Sequence, residues 1–310
     1  MKIDVFAHIL PRKYLTALKN KMGSGFEFRE ARNLATVDID MRLRLMDRYP
    51  DVIQILTVSL PPLETLVSPK DAIELSRIAN DELAELVARY PDKFIAAAAC
   101  LPLNELDAAL EETDRAITQL GLKGIQVFSN IDGESLGMPK FKSLYEKMAN
   151  YDLPIWIHPW VDRKQQPETV FVLDEQTGKA MWQLVEAGTF LHYPDLKFIT
   201  HHSGGIIPLF DGRIKWMRPF IHKDEGTINT LEHLRKFYVD TACSGSTAAL
   251  MCGYNFFGPD KMLFGTDAPL GPPFGLTLET IHSVERMSIP DVEKHKIFEE
   301  NAVKLFRMAI

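Results

Sequence analysis

The chain has 310 residues, 46% hydrophobic and 25% charged, with a formal net charge of -7. That balance supports a large buried core and excludes a disordered chain, and without a Lys/Arg-rich block it offers no footprint for a nucleic-acid backbone or an anionic membrane. Three cysteines without CxxC spacing, no apolar run of membrane-spanning length and an opening, MKIDVFAHILP, unlike a secretory signal lead to the expectation of a cytoplasmic protein with reduced thiols.

Short apolar runs rich in β-branched residues alternate with segments of helical period. In chain order, strands are expected at 3–5, 52–58, 94–100, 124–128, 155–158, 197–200, 237–240 and 262–264. Helices are expected at 38–49, 71–90, 105–119, 140–150, 177–187 and 277–286. The clearest is 71–90, where Ile73, Leu75, Ile78, Leu83, Leu86 and Val87 recur near helical spacing. Alternation alone fits a closed barrel or a doubly wound open sheet. The barrel is favoured because residues able to do chemistry follow the apolar runs: His8, His158, His201, His202 and Asp267. In a barrel such strand ends converge on one face. The expected fold is therefore an α/β (β/α)8 TIM barrel forming a single catalytic domain over 1–310, with 160–174 and 269–273 as loops above its mouth.

His8 ends the first strand, on the face that also carries Asp4 and Phe6, because strand side chains alternate. His158 ends PIWIH, and Pro159 stops that strand; Asp267 follows Gly265 and Thr266. Each alone also reads as a structural residue or a cap. Together, two imidazoles and a carboxylate from separate strands form the open three-ligand site used by catalytic zinc and similar cations. His202, in THHSGG, suits an acid/base role or a substrate contact, while its neighbour His201 reads equally well as packed behind it. Trp156, Trp160 and Trp182 are candidates for an apolar wall around a planar substrate, and Arg163 and Lys164 for an anion contact, although core packing and solvated loop charges are the simpler readings.

These residues carry a resemblance. DVFAHILP, NDELAELVARYPDKF, GLKGIQVFSN, LPIWIHPW, YPDLKFITHHSGG and LFGTDAP, in this order over nearly the whole chain, resemble the amidohydrolase-2 family, to which aminocarboxymuconate-semialdehyde decarboxylase and the γ-resorcylate decarboxylases belong. The resemblance implies a metal-dependent barrel with His8, His158 and Asp267 as ligands, His202 and Asp267 as catalytic residues, and one divalent metal, zinc first and manganese second. One departure stands out: the first strand of that family usually offers His-x-His or Glu-x-His, whereas this chain has Phe6, Ala7 and His8. Asp4 is no substitute, lying roughly 13 Å below His8 along an extended strand. Phe6, with Trp160, is then a candidate substrate contact as well as a core residue.

The implied activity is non-oxidative decarboxylation of a small aromatic or muconate-like carboxylic acid. The same residues also suit a hydrolase of a lactone, ester or amide, or a related hydratase, and the missing ligand leaves room for a metal-free barrel that only binds a small molecule. The partner expected is a small carboxylic acid or carbonyl compound, with no nucleic acid and no membrane. The resemblance also suggests a homodimer, for which 18 Phe and 12 Met supply apolar surface.

Overall fold

The computed structural model describes residues 1–23, 31, 33–58, 61–161, 170–221, 229–272 and 275–308. Eight parallel strands form its centre: β1 (Lys2–Ile9), β2 (Val52–Val58), β3 (Phe94–Ala97), β4 (Ile125–Phe128), β5 (Ile155–His158), β6 (Phe198–Thr200), β7 (Tyr238–Asp240) and β8 (Met262–Leu263). Ladders run β1-β2-β3 and β4-β5-β6-β7-β8, all parallel. Two seams close the circle. Ala99 bridges Ile125 between β3 and β4, and Val5 N–H donates to the Phe264 carbonyl (2.9 Å) between β1 and β8. This closure, which periodicity could not supply, makes the sheet a barrel.

Helices cover the outside between successive strands, among them Arg12–Met22, Ile39–Met46, Pro69–Arg89, Leu106–Thr118, Lys142–Tyr151, Val172–Glu186, Asp211–Ile221, Thr247–Phe257 and Thr277–Glu285. Pro69–Arg89 starts two residues before the expected 71, because Ser68 accepts from Asp71 N–H as N-cap and Pro69 occupies the first turn. Val172–Glu186 begins five residues before the expected start at 177, so Asp174 sits in a helical first turn rather than in a loop.

The barrel interior is packed by Ile3, Val5, Ile55, Ala96, Ala98, Trp156, Ile199 and Leu263, and its lower end is plugged by Ala302, Leu305 and Phe306. Trp156 therefore belongs to the core and not to a substrate wall: it is fully buried, stacks on Phe306 with ring centroids 5.3 Å apart, and donates its indole N–H to the Val5 carbonyl. Trp182 packs on the outer core instead of facing the mouth. No helix among the described residues is long and apolar enough to cross a membrane.

Candidate active site

Parallel strands deliver their C-terminal ends to one face, and four side chains meet there. His8 from β1, His158 from β5, His201 after β6 and Asp267 after β8 place one ligand atom each within 4.8 Å of one another. His8, His158 and Asp267 are the residues singled out as ligands from the sequence. His201 is the addition. Period-two counting explains it: Ile199 points into the barrel core, so His201, two residues on, points the same way at the strand end. The sequence could not tell which of Ile199 and Thr200 faces inward.

The hydrogen bonds of the three imidazoles fit a cation. His158 Nδ1 donates to the Pro159 carbonyl at 2.8 Å. His201 Nδ1 donates to the Asp240 carboxylate, which can only accept. His8 Nδ1 lies 2.9 Å from the Thr57 hydroxyl, whose own proton is directed at the Ala7 carbonyl. With each Nδ1 committed as a donor, Nε2 of His8 and of His158 keeps its lone pair for the centre, the arrangement that orients imidazole ligands in metal sites, while His201 Nε2 hydrogen-bonds Asp267 Oδ1 at 3.2 Å and offers its lone pair only once that proton is released. The buried His8 Nε2 has no hydrogen-bond partner; it stands 3.0 Å from Asp267 Oδ1, off the line of a hydrogen bond. An orphaned buried acceptor of this kind, facing a carboxylate, is accounted for by a cation between them.

Electrostatics divide the three imidazoles: two are held neutral, and the third keeps a proton that a cation must displace. Burial pushes His8 and His158 below the ordinary imidazole range, His158 strongly, with the neighbouring imidazoles adding to the effect. Burial alone would also lower His201, but the Asp240 charge and hydrogen bond, helped by Asp267, raise it to about 10. Burial would raise Asp267; its contacts with His201 and His8 outweigh that and hold it well below the usual carboxylate range. Asp267 is an ionised oxygen donor.

Phe6 forms the floor. It is fully buried, stacks on His201 at 4.0 Å between centroids, and meets His8 and His158 edge-on at 5.4 and 5.8 Å. Asp4 stays away from the cluster, as the strand geometry requires, and accepts from Thr266 N–H (3.0 Å), Thr266 hydroxyl (2.6 Å) and Gln54 (3.1 Å). Burial raises Asp4 to about 6 despite these bonds.

A cavity of about 910 Å³ opens above, lined by Asp267, His202, Asp174, Leu209, Ala242 and Cys243 among others. His202 faces this cavity rather than the four-residue cluster, its ring stacked on His201 at 4.2 Å and its Nδ1 3.2 Å from Asp174 Oδ1. The turn that presents it has left-handed backbone at two non-glycine residues, His202 (φ 56°) and Ser203 (φ 53°). Gly205 is required next to it, because a Cβ there would lie 2.2 Å from the Asp174 carbonyl oxygen. Trp160 stands beyond Phe128, ring centroids 6.5 Å apart, and Phe128 in turn meets His158. Arg163 and Lys164 lie outside the described residues.

Comparison with known proteins agrees with this geometry. The amidohydrolase family model Amidohydro_2 matches residues 3–308. The chain is 29% identical to 2-amino-3-carboxymuconate-6-semialdehyde decarboxylase of Dictyostelium discoideum, covering 98% of this chain and 91% of that protein. It is 28% identical to gamma-resorcylate decarboxylase of Rhizobium sp. (strain MTP-10005), covering 87% of each. Among solved structures, a dihydroxybenzoic acid decarboxylase from Polaromonas sp. JS666, with bound manganese and the inhibitor 2-nitroresorcinol, superimposes with a TM-score of 0.84 at 25% identity over 99% of this chain and 96% of that one. A closed parallel barrel, a His/Asp metal site at its mouth and a family match over almost every residue lead to one assignment: the chain belongs to the amidohydrolase-2 family.

Proposed function

We propose that this protein is a metal-dependent non-oxidative decarboxylase of a small aromatic or muconate-like carboxylic acid, acting as one catalytic barrel over 1–310. The observation that carries the reading is the cluster of His8, His158, His201 and Asp267, with every Nδ1 committed elsewhere, opening on a cavity that His202 faces. The decarboxylases among its relatives, which span the chain, support the choice of reaction. The ion is zinc or manganese; manganese is present in the related Polaromonas structure.

When bound, the metal supplies Lewis acidity to the substrate carboxylate and a neighbouring oxygen. The protein supplies the rest. Asp267, held ionised by its histidine neighbours, serves as a ligand and is a poor proton donor. His202 takes the acid role: it donates a proton to the carbon bearing the carboxylate, that carbon–carbon bond breaks, and the carboxylate departs as carbon dioxide. Phe6 seals the floor against water, and Phe128 with Trp160 offers an aromatic edge beside His158 for a planar ring.

The test is carbon dioxide release from hydroxybenzoic and muconate-type acids by protein stripped with chelator and reloaded with Mn2+ or Zn2+. One carbon dioxide per substrate consumed is expected, lost on stripping and regained on reloading. If no acid releases carbon dioxide while lactones or esters are opened, the activity is hydrolytic. Negligible metal uptake with no gain of activity leaves only a binding barrel.

A further inference from the structure

Beneath the cluster lies a polar chain that ties its two ends together. Arg42, on the helix Ile39–Met46 and almost fully buried, donates through Nη1 to the His8 carbonyl at 3.1 Å. Its Nη2 reaches toward the Ala268 carbonyl at 3.5 Å, and Nε and Nη2 both bond Gln54 Oε1, at 3.1 and 2.8 Å. Gln54 passes the connection on by donating to Asp4 Oδ2 at 3.1 Å, and Asp4 accepts from both the amide and the hydroxyl of Thr266. That hydroxyl accepts in turn from Ala268 N–H at 3.1 Å.

The ends of this chain are the residues that flank the ligands. His8 is grasped through its own carbonyl by Arg42 and through its amide by the Ala268 carbonyl (2.7 Å). Asp267 is grasped on both sides, at Thr266 and at Ala268, and it is the residue in the turn with left-handed backbone (φ 61°), a conformation that a non-glycine residue keeps only where its surroundings enforce it. A guanidinium and a carboxylate buried in the barrel wall are expensive to place, and here they share one neutral amide between them. With Phe6 where a further ligand is usual in the family, the ligands that remain depend more heavily on being held in place before the ion arrives.

We propose that Arg42, Gln54 and Asp4 are positioning residues that hold His8 and Asp267 in ligand geometry, so that this chain, remote from the ion, sets how tightly the metal is retained. The inference rests on reading the cluster as a metal site.

Metal-stripped wild type, Arg42→Met, Thr266→Val and the double variant are titrated with Mn2+ alone, free ion being read from its electron paramagnetic resonance signal, and each stripped protein is melted. Arg42→Met and Thr266→Val are each expected to weaken Mn2+ binding by about 10- to 100-fold, the range for groups that orient metal ligands. The double variant is expected to be no weaker than the worse single one, since both cut one network. If Arg42→Met does not fold, Thr266→Val, which keeps the charges in place, carries the test. Folded variants that melt lower yet bind Mn2+ as tightly as wild type overturn the proposal and leave the network a purely stabilising role. Wild type that takes up neither Mn2+ nor, in a parallel titration, Zn2+ overturns the metal reading itself, a different result from equal binding.

Discussion

At the scale of single residues, the adjacent pair His201 and His202 shows how much one strand register decides. They are sequence neighbours with stacked rings, yet one enters the buried four-residue cluster and the other faces the open cavity. From THHSGG alone both assignments were open, because the residue types are identical and only the pleat distinguishes them. His8, His158 and Asp267 were legible, since each ends an apolar run. Glu64 was not, because an acidic residue in a loop ordinarily faces water. In the fold it is 9% exposed, its Oε1 lacks a partner, and burial raises it to about 7 from an ordinary 4.5. Between those two values the unfolded chain has lost this proton while the folded chain keeps it, so the Glu64 contribution to stability falls as pH rises and is fully unfavourable above about 7. Glu64→Gln should therefore raise the melting temperature at pH 8, relieving a cost on the order of 3 kcal/mol, and change it little at pH 4. A variant that melts no higher than wild type at pH 8 would show that the carboxylate finds a counter-charge in solution.

At the scale of elements, the strands were read well and the helices unevenly. Runs such as 52–58 and 155–158 coincide with β2 and β5 because their apolar residues are buried on both faces, as in any parallel sheet covered by helices. The helix Arg12–Met22 has only Tyr14, Leu15 and Leu18 buried among lysines, a stripe too narrow to stand out. Asp211–Ile221 was hidden for the opposite reason: Trp216, Met217 and Phe220 lie on its exposed side, so its apolar residues do not mark its core face. Gly265, between β8 and Asp267, illustrates a constraint that belongs to packed elements. A Cβ there would lie 2.8 Å from Asp240 Cβ and 3.4 Å from Phe6 Cβ, so glycine lets β8 approach both the partner of His201 and the floor of the site. Gly265→Ala is expected to destabilise by about 1–3 kcal/mol through overpacking. The check is a thermal melt of the metal-loaded protein; an unchanged melting temperature would mean that β7 and β8 can part without cost.

At the scale of the whole molecule, barrel closure brings residues 8 and 267 together from opposite ends of the chain. The same scale exposes large apolar side chains: Phe171 and Leu209, 70% and 72% exposed, line the cavity, and Trp216 and Phe220, one turn apart on the helix Asp211–Ile221, are 73% and 69% exposed. The exposed pair Trp216 and Phe220 on one helix face suits the expected homodimer. Sedimentation equilibrium at micromolar concentration should give twice the chain mass, and Trp216→Glu should shift it toward the monomer; a wild type that remains monomeric removes dimerisation from the reading. The sequence by itself determined the alternation of strand and helix, the family, and three of the four residues in the cluster, because hydrophobic period and strand-end position are local properties that survive without neighbours. Only the tertiary structure decided that His201 completes the cluster, that Phe6 is its floor, and that Asp4, Gln54 and Arg42 join behind it. Those facts depend on which way each strand faces and on contacts across the closed barrel, and neither is written in any one segment of the chain.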